Sequence, residues 1–263
     1  MDEAFPEDSN DVRTWPECVR LISHALITAN HAETLGIAAA VISHLLDKSG
    51  KYLQAKAEFT EAKTLFERAL RLAEQEYGPN HATVAVRLND LGFVLDEMGD
   101  FQGAKQHYEL ALGIDEKAYG PNHPDVATGL NNLGLLLEEM GDLQAAMQHY
   151  ERAFRIAEKE YGPNHPNIAS CVNNMGLVLQ DMGDLQGAKE FYEQALRIDK
   201  KEYGPNHPNM ATLLNNLGLV LQKMEDLLGA QEHIGRALEI FRQSLGEEHP
   251  KTVAVRENLA SLK

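Results

Sequence analysis

Basic residues are scarce in this sequence. Its 263 residues include 24 Lys and Arg against 40 Asp and Glu, which gives a formal net charge of −16. Proteins bind the phosphate backbone of nucleic acids through Lys and Arg that displace counterions, so this charge balance excludes nucleic acid as an expected partner. The hydrophobic content of 43% and the charged content of 24% are ordinary for a folded protein.

Cysteine is almost absent, and long apolar runs are absent altogether. Cys18 and Cys171 are the only two thiols, too few for a disulfide framework or a metal-ligand cluster, which indicates a reducing compartment. The first residues, MDEAFPEDSND, lack the basic start and apolar run of a signal peptide. No apolar stretch approaches the roughly 18 residues of a membrane span. We therefore expect a cytoplasmic protein that does not contact membranes.

A repeated pentapeptide dominates the sequence. Copies of YGPNH begin at Tyr77, Tyr119, Tyr161 and Tyr203. A degraded copy, LGEEH, begins at Leu245, and each step is 42 residues. A step of 42 residues back from Gly92 reaches Gly50, which indicates an earlier, more divergent copy. A period of this length predicts stacked supersecondary units rather than one closed core.

Each repeat reads as two amphipathic helices joined by a short turn. In the third copy the apolar residues of the first helix are Val126, Leu130, Leu133 and Leu137. After the turn MGD, those of the second helix are Leu143, Ala146, Tyr150, Ala153 and Ile156. The three- and four-residue steps indicate helices, and the short turn predicts that they pack antiparallel.

The segment YGPNHP separates one helix pair from the next. Gly120 suits a left-handed position after the helix end, Pro121 prevents continuation, and Pro124 suits the first turn of the following helix. Either Asn122 or His123 is expected to cap that helix.

These residues carry a resemblance to a known family. The pattern of small and large residues at Leu133, Gly134, Leu137, Ala146, Tyr150 and Ala153 resembles the tetratricopeptide repeat. Because the repeat is 42 rather than 34 residues long and contains LNNLG and GPNHP, it is most similar to the kinesin light chain type, which also follows NB-ARC signal-transduction ATPase modules. The resemblance implies an all-α, right-handed solenoid of stacked antiparallel helix pairs.

Three regions are expected along the chain. Residues 1–13 form an acidic flexible N-terminus, residues 14–36 a capping helix, and residues 37–263 about five repeats and a final lone helix. Residues 14–36 also look similar to the segment that leads into such arrays in NB-ARC proteins. No GxxxxGK[ST] phosphate loop occurs, so any nucleotide-binding module is expected outside this chain.

The resemblance implies that the first helix of each pair lines a concave groove. If Gly92, Gly134, Gly176 and Gly218 are the eighth residues of their repeats, the fifth and sixth positions form a ladder of polar side chains. Its members are Asn89, Asp90, Asn131, Asn132, Asn173, Asn174, Asn215 and Asn216. These amides either bind the backbone of an extended peptide or bond to the next repeat and fix its stacking.

Carboxylates follow at the twelfth and thirteenth positions. They are Asp96, Glu97, Glu138, Glu139 and Asp181, whereas the last repeat carries Gln222 and Lys223. We expect this acidic lining to favour a basic or apolar-basic partner segment with its positive end toward Glu97 and Glu138. Kinesin light chain grooves favour acidic cargo, so the expectation departs from that type. The alternative is that these carboxylates are only solvated.

No catalytic, metal or cofactor site is expected. His81, His123, His165, His207 and His249 recur one repeat apart, which suits capping and packing rather than zinc. No arrangement of nucleophile and base is recognisable. We therefore expect a protein or peptide-binding module that is not an enzyme. The alternatives are the sensor region of an NB-ARC-type ATPase and a scaffold that associates end to end.

Overall fold

The structure is a computed structural model that describes residues 2–11 and 13–262. Helices account for all the regular structure of these residues. The helices are α1 Trp15–Leu35, α2 Ala39–Ala55, α3 Phe59–Tyr77, α4 Ala82–Glu97, α5 Phe101–Tyr119, α6 Pro124–Glu139, α7 Leu143–Tyr161, α8 Pro166–Asp181, α9 Leu185–Tyr203, α10 Pro208–Lys223, α11 Leu227–Leu245 and α12 Pro250–Ala260. The chain divides into two compact units, of which unit 1 ends at Leu136 and unit 2 begins at Leu137.

Each predicted helix pair is present, and three residues join its members. In unit 1, α2 packs on α3 and α4 on α5; in unit 2, α8 packs on α9 and α10 on α11. One residue of each joining turn has a positive φ: Gly99, Gly141 and Gly183 supply it without steric cost, whereas Ala57 (59°) and Glu225 (67°) adopt it in the first and last pairs. The turn therefore requires one residue with a positive φ in each of the five repeats, whether or not that residue is glycine.

The segment between pairs differs in one respect from the prediction. Gly120 has the expected positive φ of 89°, but its ψ of 160° lies outside the left-handed helical region. This extended conformation is essentially restricted to glycine. The predicted choice between Asn and His as the cap is settled in favour of His. In the next repeat, for example, Asn167 N–H donates to His165 Nδ1 at 3.2 Å, and the imidazole stacks on Tyr161 at 4.4 Å.

The glycine at the eighth position is required by a close approach between helices. A Cβ on Gly176 would lie 2.8 Å from the ring of Tyr192, and one on Gly92 would lie 2.8 Å from Tyr108. Such distances are too short for carbon atoms, so only glycine allows the ring to seat against the first helix. The small and large residues of the repeat pattern therefore pack on each other at these positions.

The beginning of the chain packs against α2. Phe5 is 1% exposed, and the buried Lys48 Nζ lies 2.9 Å from Asp2 Oδ1 and 3.1 Å from Glu7 Oε1. Ser9 Oγ donates to the Lys48 carbonyl at 2.7 Å. The sequence did not predict these contacts. Helix α1, within the expected cap, also packs on α2 and ends at Gly36 in the left-handed conformation. Within residues 2–11 and 13–262, no helix is long and apolar enough to cross a membrane.

Candidate functional site

The asparagine ladder forms bonds between repeats in unit 2. The sixth-position Asn216 donates from Nδ2 to Oδ1 of the fifth-position Asn173 at 3.0 Å. Asn258 of α12 donates to Asn215 in the same way, also at 3.0 Å. Asn173 in turn donates to Asn174 Oδ1 at 3.2 Å. We call each pair of asparagines bonded across two repeats a rung. The rungs support the stacking role, and Oδ1 of Asn216 takes no part in them.

The ladder is different in unit 1. Oδ1 of Asn89 is buried and has no hydrogen-bond partner among the described residues, so Asn132 does not complete the equivalent rung. Asn131 and Asn132 are half-buried on α6. An unpaired buried acceptor costs free energy unless another group supplies a donor.

Asp90 belongs to a buried charge cluster on α2 and α4. Arg87 Nη1 lies 2.9 Å from Asp47 Oδ1, and Lys51 Nζ lies 3.0 Å from Asp47 Oδ2 and 3.3 Å from Asp90 Oδ2. Burial, followed by the charge of Asp47, raises the pKa of Asp90 to about 7. Asp90 is therefore part of a buried charge cluster rather than an isolated groove carboxylate.

The acidic residues at the twelfth and thirteenth positions are of two kinds. Asp96 and Glu138 are half-buried. The exposed members are Glu97, Glu139 and Asp181. Tyr150 Oη donates to Glu138 Oε2 at 3.1 Å, and burial raises the pKa of the Glu138 carboxyl. Glu138 thus has a packing role inside its own repeat, whereas the exposed three carry charge at the surface.

Two polar cavities lie beside the ladder at equivalent places in the repeats. In unit 1 the α4–α6 cavity, of about 310 Å³, is lined by residues that include Asn89, Asp90, Asp115, Asp125, Thr128 and Asn132. In unit 2 the α8–α10 cavity, of about 200 Å³, is lined by residues that include Ser170, Asn173, Asp199, Asn209, Thr212 and Leu213. Both cavities combine second, fifth and sixth positions of first helices with one second-helix carboxylate.

That second-helix carboxylate was not identified from the sequence. Asp115 is 6% exposed, and burial, followed by the charge of Asp125, raises its pKa to about 6. Asp199 is 4% exposed, and burial raises its pKa as well. Oδ1 of Asp199 has no hydrogen-bond partner within the described part of the chain. The sequence feature that could have identified it is an aspartate at a helix position that faces the core.

Metal-binding and disulfide chemistry find no support in the described residues. No group of three or more His, Cys, Asp or Glu side chains among them is placed to hold a metal ion. Cys18 and Cys171 are both buried and are not joined in a disulfide.

The comparisons with known proteins identify the repeats. The tetratricopeptide repeat family matches residues 41–117, 99–159, 125–201, 169–227 and 209–263. No curated protein matches this chain.

Solved structures with the same fold are of the predicted type. BtubC (BKLC) from P. vanneervenii is 25% identical with a TM-score of 0.73, over 89% of this chain and 94% of that one. A kinesin light chain-type protein of Podosopora anserina with nearly identical TPR-like repeats is 21% identical with a TM-score of 0.65, over 77% and 97% of the two chains. A substituted form of the same Podosopora anserina protein is 20% identical with a TM-score of 0.66, over 77% and 96%. The predicted all-α tetratricopeptide fold and its kinesin light chain resemblance are confirmed, whereas the NB-ARC resemblance stays a prediction.

Proposed function

Because this chain belongs to the tetratricopeptide repeat family, we propose that it is a protein-interaction module whose first helices hold an extended segment of a partner. The observation that carries the proposal is the recurrence of an open polar cavity at the same repeat positions in each unit. A fold shared by many proteins does not define a function, so the case rests on these side chains.

The exposed chemistry of the first helices suits a peptide backbone. An Asn side chain offers both a donor and an acceptor, which matches the N–H and C=O groups of an extended chain whatever its side chains. In the unit 2 rung, Asn216 uses Nδ2, so its Oδ1 can accept from a partner. One set of residues can therefore fix the repeats and also contact a peptide.

The charge of the surface favours a basic or apolar-basic partner. Glu97 in unit 1 and Glu139 and Asp181 in unit 2 are exposed, at positions that the family resemblance assigns to the groove. Surfaces of one sign concentrate oppositely charged segments and speed their association, particularly at low salt. No arrangement of catalytic groups accompanies this surface in the described residues, and we propose a cytoplasmic module that is not an enzyme.

A peptide-binding experiment tests this proposal. Labelled basic and acidic decapeptides are titrated by fluorescence anisotropy against the wild type and against Glu97→Lys/Glu139→Lys. The matched control is Glu76→Lys/Glu160→Lys, which makes the same charge change at exposed positions of the second helices α3 and α7. We expect basic peptides to bind the wild type and the control at least about tenfold more tightly than the groove variant. Equal binding of acidic peptides, or equal loss in both variants, contradicts the proposal.

Two other roles remain as alternatives. The similarity of residues 14–36 to the segment before NB-ARC arrays favours a sensor region of such an ATPase, and a phosphate loop encoded directly upstream would support it. End-to-end self-association predicts a molecular mass that grows with concentration in sedimentation equilibrium. A constant monomer mass would eliminate that scaffold role.

A further inference from the structure

Asp199 is a buried acidic residue that lines the α8–α10 cavity. The residue is 4% exposed, and its Oδ1 has no hydrogen-bond partner in the described part of the protein. Burial raises the pKa of Asp199, and the interaction with His207 lowers it by less. A buried carboxylate in this state is costly, because it has lost water without gaining an equivalent donor.

The repeat itself shows that folding does not require this carboxylate. The same position holds Ala73 in the first repeat, Ala157 in the third and Phe241 in the fifth, and all three are buried apolar residues. An aspartate therefore occurs where the architecture accepts an apolar side chain. A polar residue that destabilises the free protein without a structural need is characteristic of a binding site.

The rest of the cavity wall indicates what kind of group fits. Ser170 and Thr212 bring hydroxyl groups from successive first helices, and Ala169 and Leu213 bring buried apolar surface. The volume of about 200 Å³ accommodates a side chain of several heavy atoms. A chain of four methylene groups that ends in an ammonium group has a comparable number of heavy atoms.

We propose that the α8–α10 cavity is a specificity pocket that receives a lysine side chain of the bound partner, with its ammonium group on the carboxylate of Asp199. This inference rests on the proposed function, since the lysine belongs to a segment held along the first helices. An ammonium group has three separately directed donors, which suits one carboxylate oxygen and the hydroxyls of Ser170 and Thr212. Its methylene groups pack on Leu213.

The same chemistry recurs in unit 1. The α4–α6 cavity has the buried Asp115 in the place of Asp199, and Thr128 supplies a hydroxyl. Asp125 replaces Asn209 at the rim, so this cavity is the more acidic of the two. It is also larger, at about 310 Å³, and Asn89 is among its lining residues. The inferred lysine pocket therefore has an equivalent in each unit.

The test uses peptides that differ at one side chain. Decapeptides selected from a basic library on the full-length wild type are resynthesised with Lys, Arg, acetyl-lysine or norleucine at each position in turn. Anisotropy gives Kd for the wild type, Asp199→Asn, Asp199→Ala and the control Glu202→Gln, which removes one exposed carboxylate from the same helix. Thermal melts followed by circular dichroism establish that each variant is folded.

We expect one peptide position at which the wild type prefers Lys to acetyl-lysine or norleucine by about tenfold or more. Both Asp199 variants lose that preference, whereas Glu202→Gln changes Kd by less than about twofold. If the peptides bind and Glu97→Lys/Glu139→Lys weakens them, but Asp199→Asn keeps the lysine preference, the pocket is refuted and the groove function stands.

A second measurement does not depend on peptide binding. n-Butylammonium chloride is titrated into protein with labelled methyl groups, with n-butanol as the neutral probe. The methyl resonances of Ala169 and Leu213 should shift with the amine in the wild type but not in Asp199→Asn. If no peptide binds but these shifts occur, the groove function is refuted and the cation pocket is retained. If neither is seen, both are refuted.

Discussion

Asn216 Nδ2 donates a hydrogen bond to Asn173 Oδ1 at 3.0 Å across two successive repeats. Both residues lie inside helices, where Asn is about 0.5–0.7 kcal/mol worse than Ala. The bond offsets this cost, because each half-buried amide receives a partner that water would otherwise supply. The rung therefore explains why Asn recurs at both positions in unit 2.

A double-mutant cycle on Asn173→Ala and Asn216→Ala should reveal a coupling of about 0.5–1.5 kcal/mol in the free energy of unfolding. The gain in helix propensity from each Ala cancels in the cycle, so only the interaction remains. Urea denaturation followed by circular dichroism measures it. Asn89→Ala and Asn132→Ala form the control pair, because Oδ1 of Asn89 has no partner among the described residues. A coupling of the same size in the control pair would mean that the rung is not its source.

The contact between Gly176 and Tyr192 gives a second prediction. Gly176→Ala places a Cβ 2.8 Å from the ring, and we expect a net loss of about 1–3 kcal/mol despite the better helix propensity of Ala. Gly235 in α11 is the matched control, since nothing lies within 4 Å of its added Cβ. Gly235→Ala should stabilise the protein by about 0.5–1 kcal/mol. Midpoints of urea unfolding that move in the same direction for both variants would contradict this explanation.

The helices could be predicted because their signals repeat. The 42-residue step from Tyr119 to Tyr161 recurs along the chain and places each helix pair. The contact of the eighth-position glycine with an aromatic ring is known only from the structure. Asp199 could not be assigned in this way. A single aspartate at a helix position that is otherwise apolar carries no sequence signature of a binding site. That its Oδ1 lacks a hydrogen-bond partner among the described residues is a property of the folded structure. Likewise, the unpaired state of Asn89 depends on sub-ångström placement that a repeat pattern does not encode.

The contacts between residues 2–11 and α2 were likewise not predictable from the repeat pattern. A substitution of Lys48 tests them. Lys48→Met removes a 2% exposed ammonium group that contacts Asp2 and Glu7. We expect amide hydrogen exchange of residues 2–11 to increase at least about tenfold, because two carboxylates lose their buried partner. Lys56→Met is the control, since Lys56 pairs with Glu58 at the surface. Unchanged protection of residues 2–11 in Lys48→Met would show that the burial of Phe5 and the bond from Ser9 Oγ to the carbonyl of residue 48 hold the segment without the ammonium group.

The buried carboxyl of Asp115 makes stability depend on pH. Its pKa is about 6 in the folded protein and roughly 3.9 in an unfolded chain, so the folded state binds more protons between these values. The contribution of Asp115 to stability is therefore fully present below about pH 4 and is lost as the pH rises through about 6. Asp125 raises the pKa of Asp115 further and His123 lowers it, each by less than burial raises it.

Asp115→Asn should consequently stabilise the protein at about pH 7.5 by about 1–2 kcal/mol and change stability little at about pH 4. Urea unfolding of the wild type and the variant at both pH values measures the difference, in which the titration of other groups cancels. Glu76→Gln, an exposed change of the same charge, should remain within about 0.5 kcal/mol at either pH. A gain for Asp115→Asn that is equal at the two pH values would mean that improved packing, rather than removal of a buried charge, is the cause.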